Sequence, residues 1–177
     1  MSGQLETAKR PVSAALAGPY GHPFHPILVT IPIGAWLSSL IFDIASHIVS
    51  RPGFLTQGSE WLIAIGVLGA LAAAAVGSLD LLAIPAHTTA YRTGLVHMSL
   101  NLSITVAYAI NFIWRHGAYT GRAPVAAGQL ALSAVSFAAL GLSGFLGGRL
   151  AFRYGVRVVA ESKQADGFVT RSPKTEE

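Results

Sequence analysis

The chain has no cysteine among its 177 residues, which excludes disulfides, iron–sulfur clusters and thiolate zinc sites. Charge is scarce as well. Only 11% of residues are charged against 52% hydrophobic, about half the charged share of an ordinary soluble domain. No phosphate-cradling glycine loop and no nucleophile–base triad pattern is present, so soluble-enzyme readings find no support. A signal-peptide pattern is also lacking, because Lys9 and Arg10 are followed by no continuous apolar core before Tyr20. Residues 1–20 and 159–177 are poor in apolar runs. The first is expected to be a mobile arm and the second a disordered tail.

What the chain does have is four long apolar runs, near 27–49, 61–84, 94–114 and 124–148. Each is long enough as a helix to cross a hydrocarbon layer of about 30 Å. The expected fold is therefore all-α, a four-helix transmembrane bundle over residues 21–158. Four spans put both termini on one side. That side would carry Lys9, Arg10, Arg92, Arg149, Arg153, Arg157, Lys163, Arg171 and Lys174, leaving Arg51, Arg115 and Arg122 opposite. The bias makes the terminal side cytoplasmic. It also accounts for the formal charge of +4 without a nucleic-acid partner. Tyr20, Tyr91 and Tyr154 are expected at one lipid–water interface, and Trp61, Trp114 and Tyr119 at the other. The two halves match in size only, and no internal repeat is read.

Gly21-His22-Pro23-Phe24-His25-Pro26 opens the first run. A residue before proline is pushed away from α geometry, so both histidines are expected outside regular helix, with Pro26 as the first helical residue. Pro32 should kink the first span. Asp43 and His47, four apart, are expected to pair with each other or with interfacial water. In the second run Gly66, Gly69, Ala73, Gly77 and Asp80 share a narrow arc, which suits close helix approach. Asp80 on that face is a functional candidate or a structural ion pair, for example with Arg92. In the third run His97, Asn101, Thr105, Tyr108, Asn111 and Arg115 fall on one stripe at the helical period. Gly144 and Gly148 in the fourth form a GxxxG, expected to pack tightly on a neighbour.

By depth, His22, His25, Asp80 and His97 converge at the end of the bundle where both termini lie, with Arg92 and Arg149 nearby. Two cofactors suit such a set. His25 and His97 come from different spans at similar depth and could be axial ligands of a b-type haem, with Arg92 and Arg149 meeting its propionates. His22, His25, Asp80 and His97 could instead hold a divalent metal such as zinc or iron. The many glycines and alanines favour close packing over a macrocycle. Other readings remain open: a small transporter or proton-conducting protein using Asp80 and His97, or a structural subunit packing through the glycine faces of spans two and four. Expected partners are the lipid bilayer and a second copy or a redox protein.

With these residues in place, the chain resembles the bacterial four-span membrane family catalogued as domain of unknown function 2231. The resemblance rests on His22-Pro23-x-His25-Pro26, Pro32, Gly77-x-x-Asp80 running to Ile84-Pro85, Arg92-x4-His97-x3-Asn101, and Gly147-Gly148 leading to Tyr154-Gly155-Val156. It covers about residues 20–158 and implies the inner membrane of a bacterium as the setting. Some members are joined to Rieske-type or cytochrome-type redox domains, so the resemblance implies an electron-transfer setting by association. It supplies no ligand residues.

Overall fold

The computed structural model describes residues 2–118 and 123–169, so Tyr119, Arg122, Arg171 and Lys174 lie outside the described residues. Every regular element among them is helical: α1 (Ser2–Lys9), α2 (Ala14–Ala17), α3 (His25–Leu28), α4 (Thr30–Ser46), α5 (Gly53–Leu82), α6 (Thr89–Ala118), α7 (Ala127–Gly148) and α8 (Glu161–Ala165). A π-helical turn, Arg149–Arg153, extends α7, and a 3-10 turn, Asp166–Phe168, follows α8. Four segments are long and apolar enough to cross a membrane: His25–Ser46, Gly53–Leu82, Thr89–Gly117 and Ala127–Arg153. The all-α, four-span expectation therefore holds.

The helices outrun the apolar stretches that announced them. α5 and α6 have 30 residues each, about 45 Å at helical rise. Hydropathy marks the lipid slab, and the helices continue past it at both levels. The first span is interrupted instead. Val29 separates α3 from α4, one turn before Pro32, which has no N–H to offer the carbonyl of Leu28. His25 does not precede the helix but opens it. Phe24 is the N-cap and Pro26 sits in the first turn, and the N–H of Val29 donates to the His25 carbonyl at 3.1 Å.

α4 packs on α5, α5 on α6, α6 on α7, and α7 returns to α4, closing a ring of four helices. The glycines of α5 face into it. A Cβ added at Gly66 would strike the Trp36 ring, one at Gly69 would strike Ile31, and one at Gly77 would strike His25. The 144/148 pair behaves otherwise. A Cβ at Gly144 meets nothing within 4 Å, and one at Gly148 meets only Phe152 of the following turn. This GxxxG packs on no other helix among the described residues, contrary to the tight packing expected of it. The outer surface is apolar, as a lipid-facing surface must be, with Leu68, Val106 and Val135 more than half exposed.

Both ends of the chain meet at one end of the bundle. The Arg157 N–H donates to the Ala8 carbonyl at 3.0 Å, and the Ala160 N–H to the Tyr20 hydroxyl at 2.8 Å. The segment read as a mobile arm contains α1 and α2, and its Ala8 and Ala17 are buried. In the segment read as a tail, α8 is exposed throughout.

Candidate functional site

Diagonally opposed α4 and α6 meet across the bundle axis through paired side chains, and His25 and His97 form the pair at the end where the termini meet. Their ring centroids are 6.5 Å apart with planes at 84°. Each ring is held by the next helix in the chain. His25 Nδ1 lies 2.9 Å from the Ala73 carbonyl of α5, and His97 Nδ1 lies 2.9 Å from the Ser143 carbonyl of α7. A carbonyl oxygen only accepts, so each Nδ1 carries the proton and each Nε2 keeps its lone pair. A glycine makes room beneath each ring. A Cβ at Gly77 would be 2.8 Å from His25 Cε1, and one at Gly147 would be 3.2 Å from His97 Cε1. Asn101 supports His97 from one turn on. Its Nδ2 donates to the Ser143 hydroxyl at 2.7 Å and lies 3.3 Å from His97 Nε2.

The other expected ligands do not join this pair. His22 is exposed. Among the described residues no three His, Cys, Asp or Glu side chains form a group that could hold a metal. The set of His22, His25, Asp80 and His97 is therefore not assembled. Asp80 is buried and engaged elsewhere: Arg157 Nε stands 2.8 Å from its Oδ1. That is ion-pair distance, but the N–H points out of line for a hydrogen bond. Arg157, not Arg92, is thus the partner of Asp80. Arg92 is exposed. Arg149 turns to Tyr154, donating to its hydroxyl at 3.0 Å.

Arg157 is the residue that sequence reasoning passed over. Its guanidinium NH2 donates to the carbonyls of Ala17 and Gly18, both at 2.8 Å. It thereby straps the segment before His22 to the end of α5. The π turn and the positive φ angles of Gly155 (68°) and Arg157 (61°) bend the chain back so that the side chain points inward. Arg157 continues the four-residue spacing of Arg149 and Arg153, which a continued helix would place on one side. Gly155 was the only sequence signal that the side changes.

The opposite end of the same seam holds a different pair. Arg115 grips Asp43 in two-pronged fashion, NH1 to Oδ1 and NH2 to Oδ2, both at 2.7 Å. The Ser59 hydroxyl also donates to Asp43 Oδ1. Arg115 Nε donates to Asn111 Oδ1 at 3.0 Å, and Asn111 in turn donates to the Gln129 carbonyl and Ser133 Oγ, both at 3.0 Å. Asp43 thus pairs with Arg115, not with His47, which is exposed. The polar stripe of α6 turns inward as its spacing implied: Thr105, Tyr108, Asn111 and Arg115 are all buried. Between the two ends Trp36 and Tyr108 stack at 4.1 Å with planes 11° apart, packed with Ile63 and Ile104 into an apolar middle layer.

The family model described as "Predicted membrane protein (DUF2231)" matches residues 21–160. No curated protein and no solved structure matches the chain. The chain belongs to that family of multi-pass membrane proteins.

Proposed function

We propose that this member of the family holds a metal centre between His25 and His97 and serves electron transfer in the bacterial inner membrane, with its termini in the cytoplasm. The observation that carries the reading is the pairing itself. Two imidazoles from different spans are each tied through Nδ1 to a backbone carbonyl, so each Nε2 keeps a lone pair, that of His97 lying 3.3 Å from the Asn101 amide nitrogen. Ligating histidines are oriented in this way by their outer partners. Metal–nitrogen bonds of about 2.0–2.1 Å, plus roughly 1.2 Å from nitrogen to ring centre, put two imidazoles on one ion at centroid separations up to about 6.5 Å. The observed separation is 6.5 Å.

The number of donors chooses between the candidate groups. Zinc takes three or four protein ligands, and no such group exists among the described residues. A b-type haem needs only two axial nitrogens from the protein, so by donor count haem fits where zinc does not, while the close packing of the helices against both rings leaves little room for its macrocycle. Haem would supply one-electron chemistry. The chain's own residues would orient the imidazoles through Ala73 and Ser143, and the apolar layer around Trp36 and Tyr108 would keep water from the far side. Of the two expected propionate partners, Arg92 is exposed and Arg149 donates to the Tyr154 hydroxyl.

The test is direct. Protein made in haem- and iron-replete cells and purified in mild detergent should show a Soret band, lost in both His25→Gln and His97→Gln. Protein that folds but carries neither a Soret band nor stoichiometric metal overturns the reading. A proton path through Asp80 and His97 is the rival. It must cross the apolar layer of Trp36, Ile63, Ile104 and Tyr108. Proteoliposome proton flux abolished by Asp80→Asn would favour that rival.

A further inference from the structure

We propose that the chain is two copies of one helix hairpin, and that His25 and His97 are the same position of that hairpin, seated in the same way on a pseudo-two-fold axis along the bundle. The first copy runs through α3, α4 and α5, the second through α6 and α7. Asp43 and Arg115, which pair across the axis, are 72 residues apart. The same shift carries His25 to His97 and Trp36 to Tyr108, the two other pairs on the seam. All three cross-axis pairs are therefore contacts between equivalent positions, as an axis of this kind requires.

The second helix of each copy obeys a constant shift two residues shorter, and it is independent of the first. The carbonyl that holds His25 is Ala73, and its counterpart holding His97 is Ser143. The glycine under His25 is Gly77, and its counterpart under His97 is Gly147. Trp36 Nε1 donates to the Ile63 carbonyl at 3.3 Å, and Tyr108 donates through its hydroxyl to the counterpart carbonyl, Ser133, at 3.2 Å. After each second helix the chain turns through a left-handed residue that is not glycine, and these too are counterparts: His87 at φ 66° and Arg157 at φ 61°. Non-glycine residues with positive φ are uncommon, and these two are the ones found among the described residues.

The consequence is chemical. The histidine site is assembled one half from each copy: a ring, a carbonyl that fixes its tautomer, and a glycine that lets it lie against the helix. Gly77 and Gly147 are positioning residues. Such a seat presents one nitrogen lone pair from each side of the axis, which fits a single cation or metal centre shared between the halves. Parallel repeats related by an axis along the membrane normal place ligand sites at the repeat interface in other membrane proteins. This step, the nature of the ligand, rests on the metal-centre reading; the equivalence of the two seats does not.

The test is nitrogen-15 NMR on the full chain labelled at histidine, with His25 and His97 assigned by loss of signal in the His→Gln variants. Both rings should show a protonated Nδ1 and a bare Nε2. Gly77→Ala should shift the His25 signals and leave His97 in place. Gly147→Ala should do the reverse, and Gly141→Ala, where a Cβ meets nothing within 4 Å, should shift neither. Opposite tautomers in the two assigned rings of the unaltered protein overturn the equivalence. So does a Gly77→Ala or Gly147→Ala protein that folds with its own histidine signal unmoved. Seats that behave alike in a protein without a metal centre would leave the duplication standing and remove the electron-transfer reading. A metal centre on unlike seats would do the opposite.

Discussion

The two ends of the seam lie on either side of the Trp36–Tyr108 layer, yet they treat their polar groups differently. At the Asp43–Arg115 end both carboxylate oxygens are engaged, and Arg115 reaches Asp43, Ser59, Asn111 and Ser133. At the His25–His97 end the engagement is looser: Asp80 Oδ1 and Arg157 Nε face each other as an ion pair without an aligned hydrogen bond, and Arg149 Nε and Arg157 NH1 are buried without a hydrogen bond. Buried polar groups are nearly always satisfied, and exceptions need a reason. The closed end is built as a lock between the halves. The open end holds its rings ready and its charges incompletely spent, which is why the functional reading is placed there.

The sharpest way to break this contrast is at the lock. Arg115→Leu strands the Asp43 carboxylate in the bundle interior, where loss of one partner of a buried pair costs about 3–5 kcal/mol. A large drop in thermal midpoint in detergent is expected. Removing both partners, Asp43→Leu with Arg115→Leu, should recover most of it, since an apolar pair of similar volume is often neutral. A double variant as unstable as the single one would show that the pair does more than neutralise itself.

A smaller effect is expected at the open end. Arg157→Gln removes charge-assisted hydrogen bonds to the Ala17 and Gly18 carbonyls and the ion pair with Asp80, but these tie a chain-terminal segment to the end of the bundle, where the freed groups can meet water once that segment opens. That change should act locally. Hydrogen exchange should rise over residues 17–21, while the thermal midpoint falls by less than in Arg115→Leu. A global loss equal to that of Arg115→Leu would make both ends structural locks and erase the distinction between them.

The legible part of this molecule was what periodicity and hydropathy report. The four spans were visible as apolar runs, and the inward stripe of α6 was visible in the spacing from His97 to Arg115. The His25–His97 pair followed from depth alone. What stayed hidden was partnership across the axis. Nothing local marks Asp43 as belonging to Arg115, because His47 lies closer in sequence and on the same helical face. Arg157 was hidden by a backbone reversal that depends on two positive φ angles. The duplication left little trace because its equivalent positions carry complementary rather than identical residues. Trp36 meets Tyr108 and Asp43 meets Arg115, so the contacts are conserved in geometry while the letters differ. Among the residues of the seam and its seats, the two histidines and the glycine under each ring repeat as themselves.

The weakest expected effect tests the outer surface against the inner one. Glycines that face the seam, such as Gly77, have no room for a methyl group, whereas Gly144 faces open space. Alanine is favoured over glycine in a helix interior by up to about 1 kcal/mol. Gly144→Ala should therefore leave the thermal midpoint unchanged or raise it slightly. If the midpoint falls instead, or the detergent-corrected mass shifts from a dimer to a monomer, a second chain covers this face of α7. The glycine stripe there would then serve assembly between chains, and the inward glycines of α5 would remain the ones that serve the fold. Either outcome separates the two glycine faces, which the bare sequence presents as the same motif.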